Sequence, residues 1–91
     1  SPGPSRADME AASQLPKGQQ DAMINSMVEG LEAKLKTNPA NVDGWIMLMR
    51  SRMTLGETAK ASAALKNAIA ANPASERRLR AQAELLGVPG A

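Results

Sequence analysis

Asn38-Pro39-Ala40 and Asn72-Pro73-Ala74 are one triplet written twice, 34 residues apart. A proline keeps the residue before it out of helical angles, so each triplet predicts the end of a helix. The interval between them is long enough for two helices and a tight turn. Gly56 is placed to make that turn, because glycine tolerates the left-handed angles that close a helix. Asn41 is a good N-cap for the first of the two, with Asp43 facing the positive end of its dipole.

Working outward, the punctuation divides the chain into about four helices. The first spans about 16–36, the second about 42–55, the third about 57–71 and the fourth about 75–86. In the first, Met23, Ile24, Met27, Val28, Leu31 and Leu35 make one stripe at 3.6 residues per turn, and Glu32 and Lys36 are spaced as an i,i+4 ion pair. Pro16 suits the first helical position, where a missing N–H costs nothing. The third helix is Ala-rich, so neighbours can approach it closely. The fourth has a thin apolar face of Leu79, Ala83 and Leu86, with Arg77, Arg78 and Arg80 outside, as expected of a helix that caps an array. Residues 1–15 read as a flexible segment containing a short helix from about Ser5 to Gln14, and residues 16–91 as the folded domain.

Composition narrows the function classes. The 91-residue chain is 43% hydrophobic but 1% aromatic, contains neither Cys nor His, and carries a formal net charge of +2. A core of Ala, Leu, Ile, Val and Met suits packed helices better than a sheet. Without Cys there is no disulfide or thiolate site, and without His the commonest metal ligand and general base are both missing. Ser13, Ser26, Ser51 and Ser62 have no His to activate them, so an enzyme is not expected, nor a metal or cofactor. The small mixed charge gives no footprint for nucleic acid. The longest apolar run, Trp45 to Met49, falls far short of the ~20 residues of a membrane span. Ser1-Pro2-Gly3-Pro4 reads as a linker, consistent with a fragment of a longer protein.

A 34-residue helix–turn–helix period resembles the tetratricopeptide repeat. Trp45 and Leu48 match its first-helix spacing. Gly56 marks its turn, Ala61, Leu65 and Ala68 lie on its second helix, and Pro73 closes it. Met49 and Arg52 depart from the usual Gly and Tyr. At Met49 this predicts looser or shifted packing, and at Arg52 a buried stem with its head in water. Shifting by 34 aligns Met27 with Ala61, Leu31 with Leu65 and Trp45 with Leu79. The fold expected is therefore all-α, one full repeat flanked by two half-repeats.

The run Met23-Ile24-Asn25-Ser26-Met27-Val28-Glu29-Gly30-Leu31, followed by Asn38-Pro39, Gly44-Trp45, Leu48, Arg50 and Leu55-Gly56, is more particular. It resembles the repeat domain of the bacterial c-type cytochrome biogenesis factors called CcmI or CycH. The resemblance implies a membrane-anchored periplasmic protein whose soluble domain binds unfolded apocytochrome c. It would work with other maturation components and present the chain for haem attachment. In such repeats the first helix of each unit lines the concave face, which places Asp43, Ile46, Arg50 and Met53 there, continued by Arg77, Arg80 and Glu84. Ile46 and Met53 would floor a peptide groove with charged walls, and ordinary partly exposed surface is the plainer reading. Met23 and Met27 are assigned to core filling, and the three arginines to a solvated face. The alternative function is a scaffold or self-assembly module, such as a homodimer.

Overall fold

The computed structural model describes residues 16–91, and the short helix expected at 5–14 lies outside them. Helix α1 spans Lys17–Thr37, α2 Val42–Thr54, α3 Thr58–Ala71 and α4 Glu76–Leu86, with a single 3-10 turn at Pro73–Ser75 leading into α4. Among the described residues there is no strand. The fold is the all-α hairpin array expected: α2 and α3 form the hairpin, α1 packs on one side of α2, and α4 packs on both members of the pair.

The repeated triplet is repeated in conformation as well. Asn38 ends α1 at φ −137°, ψ 71°, and Asn72 ends α3 at φ −136°, ψ 65°. Gly56 and Gly90, also 34 apart, both take the left-handed region at φ 75° and 80°. The caps follow from the residues. Asn41 Oδ1 accepts from the Gly44 N–H at 3.0 Å, satisfying a donor that the first turn of α2 leaves free. Pro16 sits one residue before α1 rather than inside it, and its carbonyl accepts from the Gln19 and Gln20 N–H groups. Gly44 is needed for another reason: a Cβ there would lie 2.7 Å from Asn41 Nδ2 and 3.0 Å from Leu35 Cδ2. Its absence lets α1 seat directly on the start of α2.

The core runs through Val28, Leu35, Trp45, Leu48, Met49, Ala61, Ala64, Leu65, Ala68, Leu79 and Ala83. Ala61 and Ala68 are fully buried where α3 crosses α2. Met49 is fully buried too, so the thioether fills the space in which looser packing was expected. Val88 adds an apolar plug that the sequence reading missed. Gly87 turns left-handed, the Val88 N–H donates to the Ala83 carbonyl at 2.9 Å, and Val88 folds back into the core. Ser62 Oγ then holds the Pro89 carbonyl at 2.9 Å, fixing the tail to α3.

Two expectations are corrected together. Arg52 was expected to keep its head in water, yet only 5% of the residue is exposed. Its Nη1 meets Glu57 Oε1 at 3.0 Å and its Nη2 meets Glu32 Oε1 at 3.2 Å. Glu32 therefore turns inward to Arg52 instead of pairing along α1 with Lys36. The physical reason is that Arg52 points into the junction of α1, α2 and α3, where a bare guanidinium is costly and two carboxylates are within reach. Its Nε remains buried without a partner. Burial works against the charge on Arg52, but hydrogen bonds and attraction from Glu57 and Glu32 outweigh it and raise its pKa. Glu57, held first by Lys60 and then by Arg52, titrates below its ordinary 4.5.

Asn72 Nδ2 donates to two carbonyls, Pro39 at 2.7 Å and Ala68 at 3.0 Å. Asn72→Ala should cost about 1 kcal/mol and lower Tm by roughly 4–8 °C. Asn72→Asp should cost more, since a carboxylate cannot donate to either oxygen, and thermal unfolding followed by circular dichroism ranks the two. The lowered pKa of Glu57 also sets a pH dependence. Its stabilising contribution is present above the unfolded-state value and is lost as pH falls through the folded-state value. Urea titrations across pH 3–7 should therefore show Glu57→Gln less stable than the parent at neutral pH and converging with it in acid.

Candidate polypeptide-binding surface

Helices α2 and α4 lie side by side and run the same way. Asp43, in the first turn of α2, is ion-paired with Arg78, near the start of α4. At the other end Met53 Cε lies 3.9 Å from where a Cβ on Gly87 would be. Together the two helices make the face expected to carry the groove.

The expected residues do not form one trough. Asp43 and Arg50 are exposed, while Ile46 and Met53 are half-buried and pack against the core. The apolar floor is thus partly taken up by the chain's own core. Arg77, Arg80 and Glu84 do come together, along α4 in a wide depression of ≈ 950 Å³ that also takes in Glu76 and Ala81. Arg80 is tied down there, its Nε 2.7 Å from Glu76 Oε2 and its Nη1 3.2 Å from the Gly90 carbonyl. Among the described residues neither Arg50 nor Arg77 has an ion-pair partner. Arg50 stands on α2, whereas Arg77 lines the depression along α4, to which no α2 residue contributes. The Asp43–Arg78 bridge was not foreseen, although Arg78 is 35 residues on from Asp43, one residue past a repeat.

A second groove, of ≈ 540 Å³, runs on the opposite side of α2, between α1 and α3. Leu35, Trp45 and Leu48 floor it, and Ala63, Ala64 and Ala71 leave room along α3. Lys36 and Lys60 stand at its edges. Sequence reasoning missed it, although the run of alanines on α3 was the available signal: side chains that small cannot fill the space between neighbouring helices.

The methionines also fall differently. Met23 and Met27 are 50% and 53% exposed, not core, and Met47 is 54% exposed. The inner line of α1 is Ile24, Val28, Leu31 and Leu35, at i, i+4, i+7 and i+11. Met23 and Met27 each precede a member of that line by one residue, about 100° round the helix. The stripe was drawn too wide because α1 has only α2 to pack on for most of its length.

No described helix is long and apolar enough to cross a membrane. No family model matches the chain, and no solved structure matches it. Among curated proteins the chain is 38% identical over 81 residues to a cytochrome c-type biogenesis protein CycH of Rhizobium meliloti (strain 1021), covering 86% of this chain. It is 32% identical over 92 residues to the CycH of Bradyrhizobium diazoefficiens, covering 98% of this chain. It spans only 21% and 25% of those relatives' lengths. The likeness first carried by the Met23–Leu31 and Gly44-Trp45 motifs thus extends over most of the sequence, and the chain is homologous to one segment of the CycH cytochrome c-type biogenesis proteins.

Proposed function

We propose that this chain is a periplasmic polypeptide-binding module of a membrane-anchored factor in c-type cytochrome maturation. It captures unfolded apocytochrome c and presents it for haem attachment. The observation that carries this reading is the α2–α4 face. There Arg50, which has no ion-pair partner among the described residues, stands on α2 with the half-buried Ile46 and Met53, and Arg77 adds positive charge from the depression along α4. Such a surface suits an amphipathic segment, which can bury apolar side chains against the half-open floor and place carboxylates on the arginines. The names of the two relatives supply the client's class. Asp43 and Arg80, already bound within the chain, fix the helices rather than the client.

The mechanism is binding and release, with no bond made or broken. An unfolded client presents its apolar segments, and a folded, haem-bearing one has buried them. Preference for the unfolded form therefore follows from the hydrophobic term alone.

Calorimetry with a peptide from the C-terminal helix of an apocytochrome c, and with the whole apo- and holoproteins, tests this. Heat is expected from the peptide and the apoprotein and not from the holoprotein. Reversing both free cations, Arg50→Glu with Arg77→Glu, should weaken apoprotein binding roughly tenfold, about 1.4 kcal/mol. No heat with either peptide or apoprotein rejects the reading.

A further inference from the structure

The groove between α1 and α3 is lined by residues from Glu32 to Ala71, away from both ends of the described chain. Three helices that the fold already fixes make its walls, α1 and α3 at the sides and α2 beneath. Trp45 and Leu48 are 9% and 1% exposed in its floor, beside Leu35 at 2%. The indole N–H is taken by the Pro39 carbonyl at 2.8 Å, so Trp45 has no donor left and offers a ligand ring carbon alone. From α3 the groove receives only methyl groups at Ala63, Ala64 and Ala71. Its ≈ 540 Å³ is the size of a small-molecule pocket, and such pockets are mostly apolar with a few polar groups.

The charges at the groove select its occupant. Arg52 and Lys60 bring two positive charges, and Glu32 and Glu57, bonded to them, bring two negative ones. These four cancel. Lys36 on α1 also lines the groove, as does Asn67 on α3, and among the described residues neither side chain has a partner. Arg52 is 5% exposed and its buried Nε has no acceptor, so the inner end of the groove is short of negative charge. One uncompensated cation, a neutral amide and an apolar floor fit a monoanion with an apolar body. A cationic ligand would meet Lys36 and find both nearby carboxylates engaged. The floor is spread over side chains of α1, α2 and α3, a broad surface that suits flat rings better than a single acyl chain. A rigid ring system also loses less freedom on binding.

We infer that the α1–α3 groove is a small-molecule site for an aromatic monoanion. Its rings lie on Leu35, Trp45 and Leu48, and its acidic group meets Lys36 and Asn67. The site is on the opposite side of α2 from α4 and does not rest on the polypeptide-binding reading. Lys36, in the last turn of α1, also complements the helix dipole, which is why charge preference rather than stability is the readout.

The probe is 1-anilinonaphthalene-8-sulfonate, titrated by calorimetry and by the fluorescence of Trp45, the sole tryptophan. N-phenyl-1-naphthylamine, the same rings without the sulfonate, is the neutral control. The anion is expected to bind, to change Trp45 emission and to raise Tm, as a ligand of the native state must. The neutral compound should bind roughly three- to fivefold more weakly, the worth of a partly exposed ion pair. Lys36→Gln should erase that difference. Ala63→Phe, which puts a ring where α3 now has an exposed methyl, should block both compounds with parental circular dichroism, and Ala63→Leu should weaken both. Lys66→Gln, on the same helix but lining another cavity, should change neither. Binding that survives Ala63→Phe, or that responds instead to Met27→Glu on the exposed side of α1, overturns the inference. So does equal affinity for the neutral compound, a lowered Tm, or displacement of the probe by decanoate as readily as by 1-naphthoate. Apoprotein binding should be unchanged by saturating probe, and its absence would reject the polypeptide-binding reading alone.

Discussion

The Pro39 carbonyl is the joint on which the array turns. It accepts from Trp45 Nε1 at 2.8 Å and from Asn72 Nδ2 at 2.7 Å. A carbonyl has two lone pairs, and this one lies just past the end of α1, where no helical N–H reaches it. Trp45 is buried and its indole N–H must find an acceptor. One oxygen thereby ties the turn before α2 to the body of α2 and to the turn after α3. The stagger of three helices follows from that, and with it the angle at which α4 begins. The repeated triplet thus acts as two halves of one contact: the first copy offers the carbonyl and the second supplies the amide that grips it.

The other fixed point is less economical. Arg52 stands at a junction of three helices, and it brings a charge that needs Glu32 from α1 and Glu57 from the α2–α3 turn. A well-packed apolar side chain would serve stability as well or better. The guanidinium instead imposes position, because a planar fork reaching two carboxylates admits few arrangements of the helices that carry them. Glu57 gives up side-chain capping of α3 in return, and no such cap bond is made there. The α1–α2 angle is therefore set at one end by Gly44 and at the other by an ion triplet.

Local punctuation made the fold legible. Asn41, Gly56, Gly87 and the two Asn-Pro steps act within a few residues of themselves, so each helix boundary could be read within about two residues. The repeat period then gave the pairing. What could not be read was any property that depends on which neighbour is present. Met23 and Met27 obey the period of a buried stripe, but a stripe is buried only as widely as it is covered, and α1 has one main neighbour. Arg52 looked like a snorkelling side chain because its two carboxylates are 20 residues upstream and five downstream. Asp43, Ile46, Arg50 and Met53 lie on α2, and Arg77, Arg80 and Glu84 on α4, as their spacing predicted. Their burial was not foreseen, since how far Ile46 and Met53 pack against the core depends on neighbours distant in sequence, such as the Gly87 turn beside Met53.

Among the described residues the two outer helices, α1 and α4, differ on the sides they turn to solvent. The outer side of α4 is polar, with Arg77, Arg80 and Glu84 in a depression that water can fill, as a capping helix requires. The outer side of α1 is not: it carries the half-exposed Met23 and Met27, the second of which stands one repeat before the fully buried Ala61 of α3. An exposed apolar patch invites association, so the half-exposed methionines of α1, and not the polar side of α4, are where the described surface is least suited to water alone.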